Sequence, residues 1–347
     1  MKTKHLLTVS IIGFANYIAG LDAKSALTSL YQFNGKGNWS IDALGSTAPA
    51  NLGDLDAIVP AGSTIQKAYL YSTTFGGSPT PTVNFDGTVY SNGQWTPLGF
   101  TESSSALQAF RTDVTSQVSA KVGGGGGLFS FSLDSENPSN VDGEMLVIVY
   151  SNPAEMERTI GLVDGFALSA GESTSINLAS PLPDVTQLGF EAQLSLGIGF
   201  SYSGGGQGSQ VDINGRRLTS AAGGFDDGQL ANGALITGGG LGDNPLNPSD
   251  PFQGPSGNEV YDDELYDLSL GNSLNPAGFI AQGDTAIQVD TRNSSFDDNI
   301  FFLGINITAV AGINEPPPNN VPETGTTFAL LGMGMLGLAG IRRRCKN

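Results

Sequence analysis

Residues 192–202 read "AQLSLGIGFSY", and their spacing decides the fold. Leu194, Leu196, Ile198, Phe200 and Tyr202 fall on one side of an extended chain, and Gln193, Ser195, Gly197, Gly199 and Ser201 on the other. A period of two is the mark of a strand with one buried face. The segment "FFLGINITA" at 301–309 repeats the pattern with Phe301, Leu303, Ile305 and Ile307. Further strands are expected at Ile65–Ser72, Thr82–Phe85, Leu128–Leu133, Met145–Tyr150, Thr159–Val163, Gln210–Ile213 and Ala286–Val289. Turn dipeptides stand among them: Asp86-Gly87, Asn92-Gly93, Asp142-Gly143, Asp164-Gly165 and Asn214-Gly215. Helical periodicity is scarce, and Gly, at 49 of 347 residues, is about twice its usual share. Many short alternating strands with Gly-rich turns predict a mainly β protein, an antiparallel β-sandwich or jelly roll.

The two ends of the chain carry addresses instead of fold. Lys2 and Lys4 precede an apolar stretch from Leu6 to Ile18, and small residues follow around Ala23, Ser25 and Ala26. This is the layout of a signal peptide occupying residues 1–26, cut between Ala19 and Ala26. At the other end Thr326–Ile341 holds no charge, and as a helix it reaches about 24 Å, slightly short of a ~30 Å hydrocarbon core. Arg342, Arg343, Arg344 and Lys346 come directly after it, a positive cluster that stays on the cytoplasmic side while the body lies outside.

Val321-Pro322-Glu323-Thr324-Gly325, then "ALLG" at 329–332, "LGLAG" at 336–340 and the arginines, resemble a PEP-CTERM-type bacterial sorting signal of the VPDSG-CTERM variant. The resemblance covers about 25 residues. It implies recognition and cleavage by an exosortase-like membrane protease, and a bacterial protein bound for the cell surface or extracellular matrix. "VPETG" also resembles the Leu-Pro-x-Thr-Gly signal of sortase substrates, with Val for Leu, which implies a sortase-like protease and wall attachment instead.

Composition limits the chemistry of the body. The chain carries a formal charge of −18, and residues 25–321 alone hold eight Lys/Arg against 31 Asp/Glu, a net −23. Such a body repels phosphate backbones, so no nucleic-acid partner is expected. The single His is His5 and the single Cys is Cys345, both in segments expected to be removed. Without imidazole or thiol, the mature chain has no Ser-His-Asp or Cys-His nucleophile, no His/Cys zinc site and no disulfide.

Residues 27–313 form the expected ectodomain, with "SPLPD" at 180–184 as the place where halves 27–180 and 185–313 would part; one continuous domain is the preferred reading. "GGGGG" at 123–127 is expected to be a hairpin loop, and "NEPPPNN" at 314–320 a stiff spacer before the sorting signal at 321–347. A long Gly/Pro-rich gap separates Gly223 from Asn258. Segments such as "IQKAYLYSTTFGG", "GEMLVIVYSNP" and "GDTAIQVDTRNSSFDDNIFFLGINI" are similar to β-rich modules of bacterial surface and adhesin-like proteins. That similarity implies an exported sandwich and brings no catalytic motif.

Acidic pairs recur in loops. Calcium takes six to eight oxygen ligands, and Asp262, Asp263, Asp297, Asp298 and Asn299 could supply them if their two loops converge. The alternative is solvated turns, and no complete calcium-loop pattern is present. Glycoside hydrolysis needs only two carboxylates, but 31 acids single out no pair. Trp39, Trp95, Tyr69 and Tyr71 could stack on sugar rings of an extracellular polysaccharide, although packing in a sandwich interior is the commoner use of strand aromatics. Tyr69 and Tyr71 share one face opposite Ala68 and Leu70, and one face has to be buried. Sequons at Asn38, Asn293 and Asn306 are read as coincidental. The expected function is therefore an exported structural or adhesin-like binding module, with a carboxylate-based hydrolase as the alternative.

Overall fold

A computed structural model of the chain describes residues 26–45, 52–76, 80–101, 107–135, 140–200, 208–223, 236–252, 264–273, 276–294 and 299–316. Along the chain the strands are β1 (Thr28–Gly45), β2 (Leu52–Val59), β3 (Thr64–Thr74), β4 (Val83–Phe85), β5 (Thr88–Tyr90), β6 (Thr96–Phe100) and β7 (Gln108–Asp113). A short helix, α1 (Thr115–Val122), precedes β8 (Gly127–Ser135), β9 (Val141–Ser151), β10 (Glu157–Asp164), β11 (Glu172–Leu178) and β12 (Ala192–Gly199). The remainder are β13 (Ser209–Ile213), β14 (Arg216–Ala222), β15 (Ile236–Gly238), β16 (Leu265–Asp267), β17 (Ala286–Arg292), β18 (Asn299–Ile307) and β19 (Ala311–Ile313).

All strand pairings are antiparallel. The largest sheet runs β15-β12-β18-β10-β1-β9-β3-β7-β6, with β16 also on β12. It turns on β1, whose first half pairs with β10 (Thr28↔Asp164 to Lys36↔Glu157) and whose second half pairs with β9 (Gly37↔Ser151 to Gly45↔Gly143). The two wings thus created face one another. Tyr71 of β3 lies 5.5 Å, centroid to centroid, from both Phe301 and Phe302 of β18. A sheet β14-β13-β17-β11-β19 covers the outside of the β10/β12/β18 wing, and a sheet β2-β8-β4-β5 covers the outside of the β9/β3 wing.

Four layers therefore enclose three apolar interfaces, and the alternation along each inner strand assigns side chains to two of them. In β9, Leu146, Ile148 and Tyr150 pack toward β2 and β8, while Met145, Val147 and Val149 pack toward the other wing. In β3, Ala68 and Leu70 take the first side and Tyr69 and Tyr71 the second, so both faces of that strand are buried. A strand covered on both sides reads as a continuous apolar run, as "MLVIVY" at 145–150 does. Each fully buried Leu, Ile, Val or Phe stabilises by roughly 2 kcal/mol relative to exposure.

The small face of the opening stretch has the same cause. Leu194, Leu196 and Ile198 of β12 enter the core shared with β13 and β17. Gly197 and Gly199 meet the opposite wing: a Cβ on Gly197 would stand 2.7 Å from Met145 Sδ, and one on Gly199 2.7 Å from Thr73 Cγ2. The residues between the apolar positions are small because a second layer presses on them.

Two hairpins form where expected. Asp86-Gly87 (φ 48° and 82°) links β4 to β5, and Asn214-Gly215 (φ 51° and 72°) links β13 to β14, each a two-residue turn of the kind that requires positive φ at both positions. The run 123–127 is not a hairpin loop. It ends α1, with Gly123 in the left-handed region and its N–H bonded to Ser119 O at 3.0 Å, and leads into β8. The helix itself is short because only Val118 and Val122 bury against the sheet; Asp113 Oδ1 accepts the Thr115 N–H at its start. The strand β11, before Pro181, shares a sheet with β13, β17 and β19, after it.

Candidate functional site

Buried polar groups come first, because a catalytic or metal site needs some of them unspent. Arg111 of β7 is ion-paired with Asp164 of β10, and Tyr71 Oη donates to Asp164 at 3.3 Å. Burial raises the Asp164 carboxyl above its usual range, and Arg111 pulls it back. Glu144, fully buried in β9, accepts bonds from Ser72 Oγ (3.2 Å) and Ser135 Oγ (2.6 Å). Arg158, with 2% of its side chain exposed, donates to Glu191 (2.8 Å) and Asn306 (3.1 Å), while Asn306 donates to Asn38 at 2.7 Å. These sets join strands, and each carboxylate has a structural partner.

The same network answers the sequons. Asn293 and Asn306 are fully buried, and Asn38 Oδ1 is bonded to Asn306. Burial closes Asn293 and Asn306 to modification, while Asn38 is half-buried and engaged through its Oδ1. The four candidate sugar-stacking aromatics also belong to cores: Trp95 is 5% exposed, Tyr69 6%, Tyr71 is fully enclosed, and half-buried Trp39 packs on the core between the wings.

Of the expected calcium ligands, Asp262, Asp263, Asp297 and Asp298 lie outside the described residues. Asn299 lies at the start of β18, 3% exposed, and its Oδ1 accepts a bond from Asn293 Nδ2 at 2.6 Å. Among the described residues no group of three or more His, Cys, Asp or Glu is placed to hold a metal ion.

An open polar surface exists elsewhere, on the outer face of the β14-β13-β17-β11-β19 sheet. Gln210 and Asp212 of β13, Asp290 and Arg292 of β17, Ser173 of β11 and Arg217 of β14 line a shallow depression of about 340 Å³. Register places Gln210 opposite Arg292 and Asp212 opposite Asp290, and Ser173 opposite Asp290 on the other side. Glu172 at its edge is a wall: its carboxylate accepts the Leu27 N–H at 2.8 Å and the Leu168 N–H at 2.9 Å, and burial raises its pKa. The polar half of "QVDI" and "IQVDTR", at alternate positions, is the sequence signal for this face, and it is weaker than that of the adjacent acidic pairs.

The chain ends leave the body together. Ser29 Oγ donates to Ile313 O at 3.1 Å, and Gln32 donates to Ala311 O at 2.9 Å while accepting the Ile313 N–H at 3.0 Å. Asn314 and Glu315, the first residues of the expected spacer, are bonded to β11, and the rest of the spacer beyond Pro316 and the sorting signal, including Val321–Gly325 and Arg342–Arg344, lie outside the described residues. Residues 320–345 match the VPDSG-CTERM motif. The VPDSG-CTERM tail has Glu323 and Thr324 where the motif's name has Asp and Ser. It implies an exported, envelope-associated protein and processing by an exosortase-like system. No curated protein matches the chain in sequence. Among the described residues no helix is long and apolar enough to cross a membrane, and the apolar stretch 326–341 of the VPDSG-CTERM tail is not among them.

Proposed function

We propose that this protein is displayed at the cell surface or in the extracellular matrix as a structural or adhesin-like binding module, after an exosortase-like membrane protease removes its VPDSG-CTERM tail. The observation that carries the reading is the match at residues 320–345, following directly on a Pro-rich spacer. The body supports it: a sandwich with three apolar interfaces needs no disulfide to persist outside the cell. Binding is favoured over catalysis because the body has neither His nor Cys, and its most buried carboxylates are tied to Arg111, to Ser72 and Ser135, and to backbone N–H groups.

Peptide mass mapping of the native C-terminus, in envelope and culture-medium fractions of producing cells, tests the address. A terminus near Val321–Thr324 is expected. An intact Arg342-Arg343-Arg344 end would make the tail a permanent membrane anchor. Release of oligosaccharide from any polysaccharide incubated with the protein would replace the binding module by a hydrolase.

A further inference from the structure

We propose that the outer face of the β14-β13-β17-β11-β19 sheet, between Phe252 and Arg292, binds a neutral polysaccharide chain. Phe252 is 66% exposed, the one aromatic among the exposed large apolar side chains of the described residues. It is nevertheless fixed. The Arg217 guanidinium lies 5.7 Å from its ring centroid, its backbone N–H is bonded to Asp250 Oδ1 at 3.0 Å, and the preceding Pro251 O accepts from Ser220 Oγ at 2.8 Å. A ring held in place with one face in solvent loses little freedom when a pyranose lays its C–H face on it.

The polar groups beside the ring are also set in advance. Arg217 donates to Asp212 (2.6 Å), Ser220 (2.5 Å) and Gln210 (3.4 Å). Gln288 grips both oxygens of Asp290 at 2.7 and 3.0 Å, and Ser173 donates to the same carboxylate. Arg292 is exposed and has neither hydrogen bond nor ion pair among the described residues. Guanidinium donors alternate with carboxylate acceptors across adjacent strands, which suits hydroxyl groups that both give and take a hydrogen bond.

Charge selects a neutral ligand. The depression holds Glu172, Asp212 and Asp290 against Arg217 and Arg292, and the surrounding body is strongly acidic. A polyanion would be repelled at short and long range. About 340 Å³ is at the small end of ligand sites, room for a short run of sugar units on an open face and not for an enclosed molecule.

This inference rests on the binding reading above but not on the address, since it concerns the purified protein. Affinity electrophoresis of the full-length chain in detergent through gels containing dextran, xylan or laminarin, and separately polygalacturonate, tests it. Retardation by at least one neutral polymer is expected, weakened at least fivefold in both Phe252→Ala and Arg292→Gln, whose thermal midpoints stay at the wild-type value because both side chains are exposed. Tighter binding of polygalacturonate, no retardation by any of the neutral polymers, or retardation unchanged in both variants would overturn it. C-terminal mapping is unaffected by any of these outcomes, so failure of the site and failure of the address are separable.

Discussion

Arg111 on β7 and Asp164 at the end of β10 form an ion pair that joins the two wings of the central sheet across their shared core, with Tyr71 Oη as the third member. Side-chain exposure is 18% for the arginine and 6% for the aspartate, so solvent screens little of the interaction. Removing one partner strands the other charge, a loss of about 3–5 kcal/mol. Arg111→Met is expected to lower the unfolding free energy from urea titration by that amount, and the double change Arg111→Met with Asp164→Leu to recover a large part of it. Equal midpoints for the single and double variants would show that the pair is not coupled.

Asp42 gives the fold a dependence on pH near neutrality. Its carboxylate accepts the backbone N–H of Asp56, and Ser40 Oγ accepts that of Ile58 at 3.0 Å, so β1 side chains occupy the open edge of β2. Burial first, then the nearby Asp56 charge, raise the Asp42 pKa to about 7, while the backbone bonds oppose the shift. A raised carboxyl pKa means that the folded state holds a proton the unfolded state releases. Stability from this group is thus complete at acid pH and is lost as pH climbs from about 4 to about 7. Asp42→Asn, which keeps the acceptor, is expected to be more stable than wild type at pH 8 and nearly equal to it at about pH 3, below the unfolded carboxyl's ordinary value. Chemical denaturation at the two pH values decides; a difference of the opposite sign would remove Asp42 from the account.

Phe301→Ala tests whether the wings are one folding unit. Phe301 is fully buried, 5.5 Å from the Tyr71 ring, and its truncation should cost about 3–5 kcal/mol. A single cooperative transition, shifted as a whole, is expected in calorimetry. Two resolved transitions would mean that the outer sheets and their wings melt independently.

In the VPDSG-CTERM tail, Ala substitution of Val321, Pro322 and Glu323 together is expected to leave unprocessed precursor in the envelope fraction, visible as a slower band that retains the Arg342–Lys346 end. Truncation after Asn319 should instead send the protein to the medium. Normal processing of the triple variant would move recognition to the apolar stretch alone.

The strand positions were legible: β12, β18, β3, β8, β9 and β10 fall where the sequence places them, but Phe200 and Phe301, which period two sets beside Ile198 and Leu303, pack instead into the core between the wings. β1 was not. Its "TSLYQFNGKGNWSIDALG" does keep Tyr31, Phe33, Trp39, Ile41 and Ala43 on one core, but the change of neighbour falls in the Gly- and Asn-rich middle, Asn34–Asn38, which breaks the apolar period into two pieces too short to read. Asp142-Gly143 looked like a turn but lies inside β9, where a Cβ on Gly143 would meet Leu44 O at 2.3 Å; glycine there permits close approach and reverses nothing. The four layers were invisible for a related reason. Small residues such as Gly197 and Gly199 look like a solvent face until the second wing is placed on them. For the outer-face depression, Gln210, Asp212, Asp290 and Arg292 follow directly from strand alternation, whereas Phe252 reaches them only through the Ser220 and Arg217 contacts, which no local pattern encodes.

The adjacency of Ser29 and Ile313 would matter if the body were held by its C-terminal segment in moving fluid. Drag on the sandwich and resistance at the C-terminal handle meet at β19, a strand of three residues zipped to β11 by Ile176↔Ile313, Asn177↔Gly312 and Leu178↔Ala311. Asn314 doubles the lock by bonding Ser175 through both its backbone N–H (2.7 Å) and its side-chain oxygen (2.8 Å), and Gln32 fastens the strand to the opposite end of the chain. Tension would therefore be shared between the first strand and the last, and the wings carrying the outer faces would feel it only after that clasp had opened.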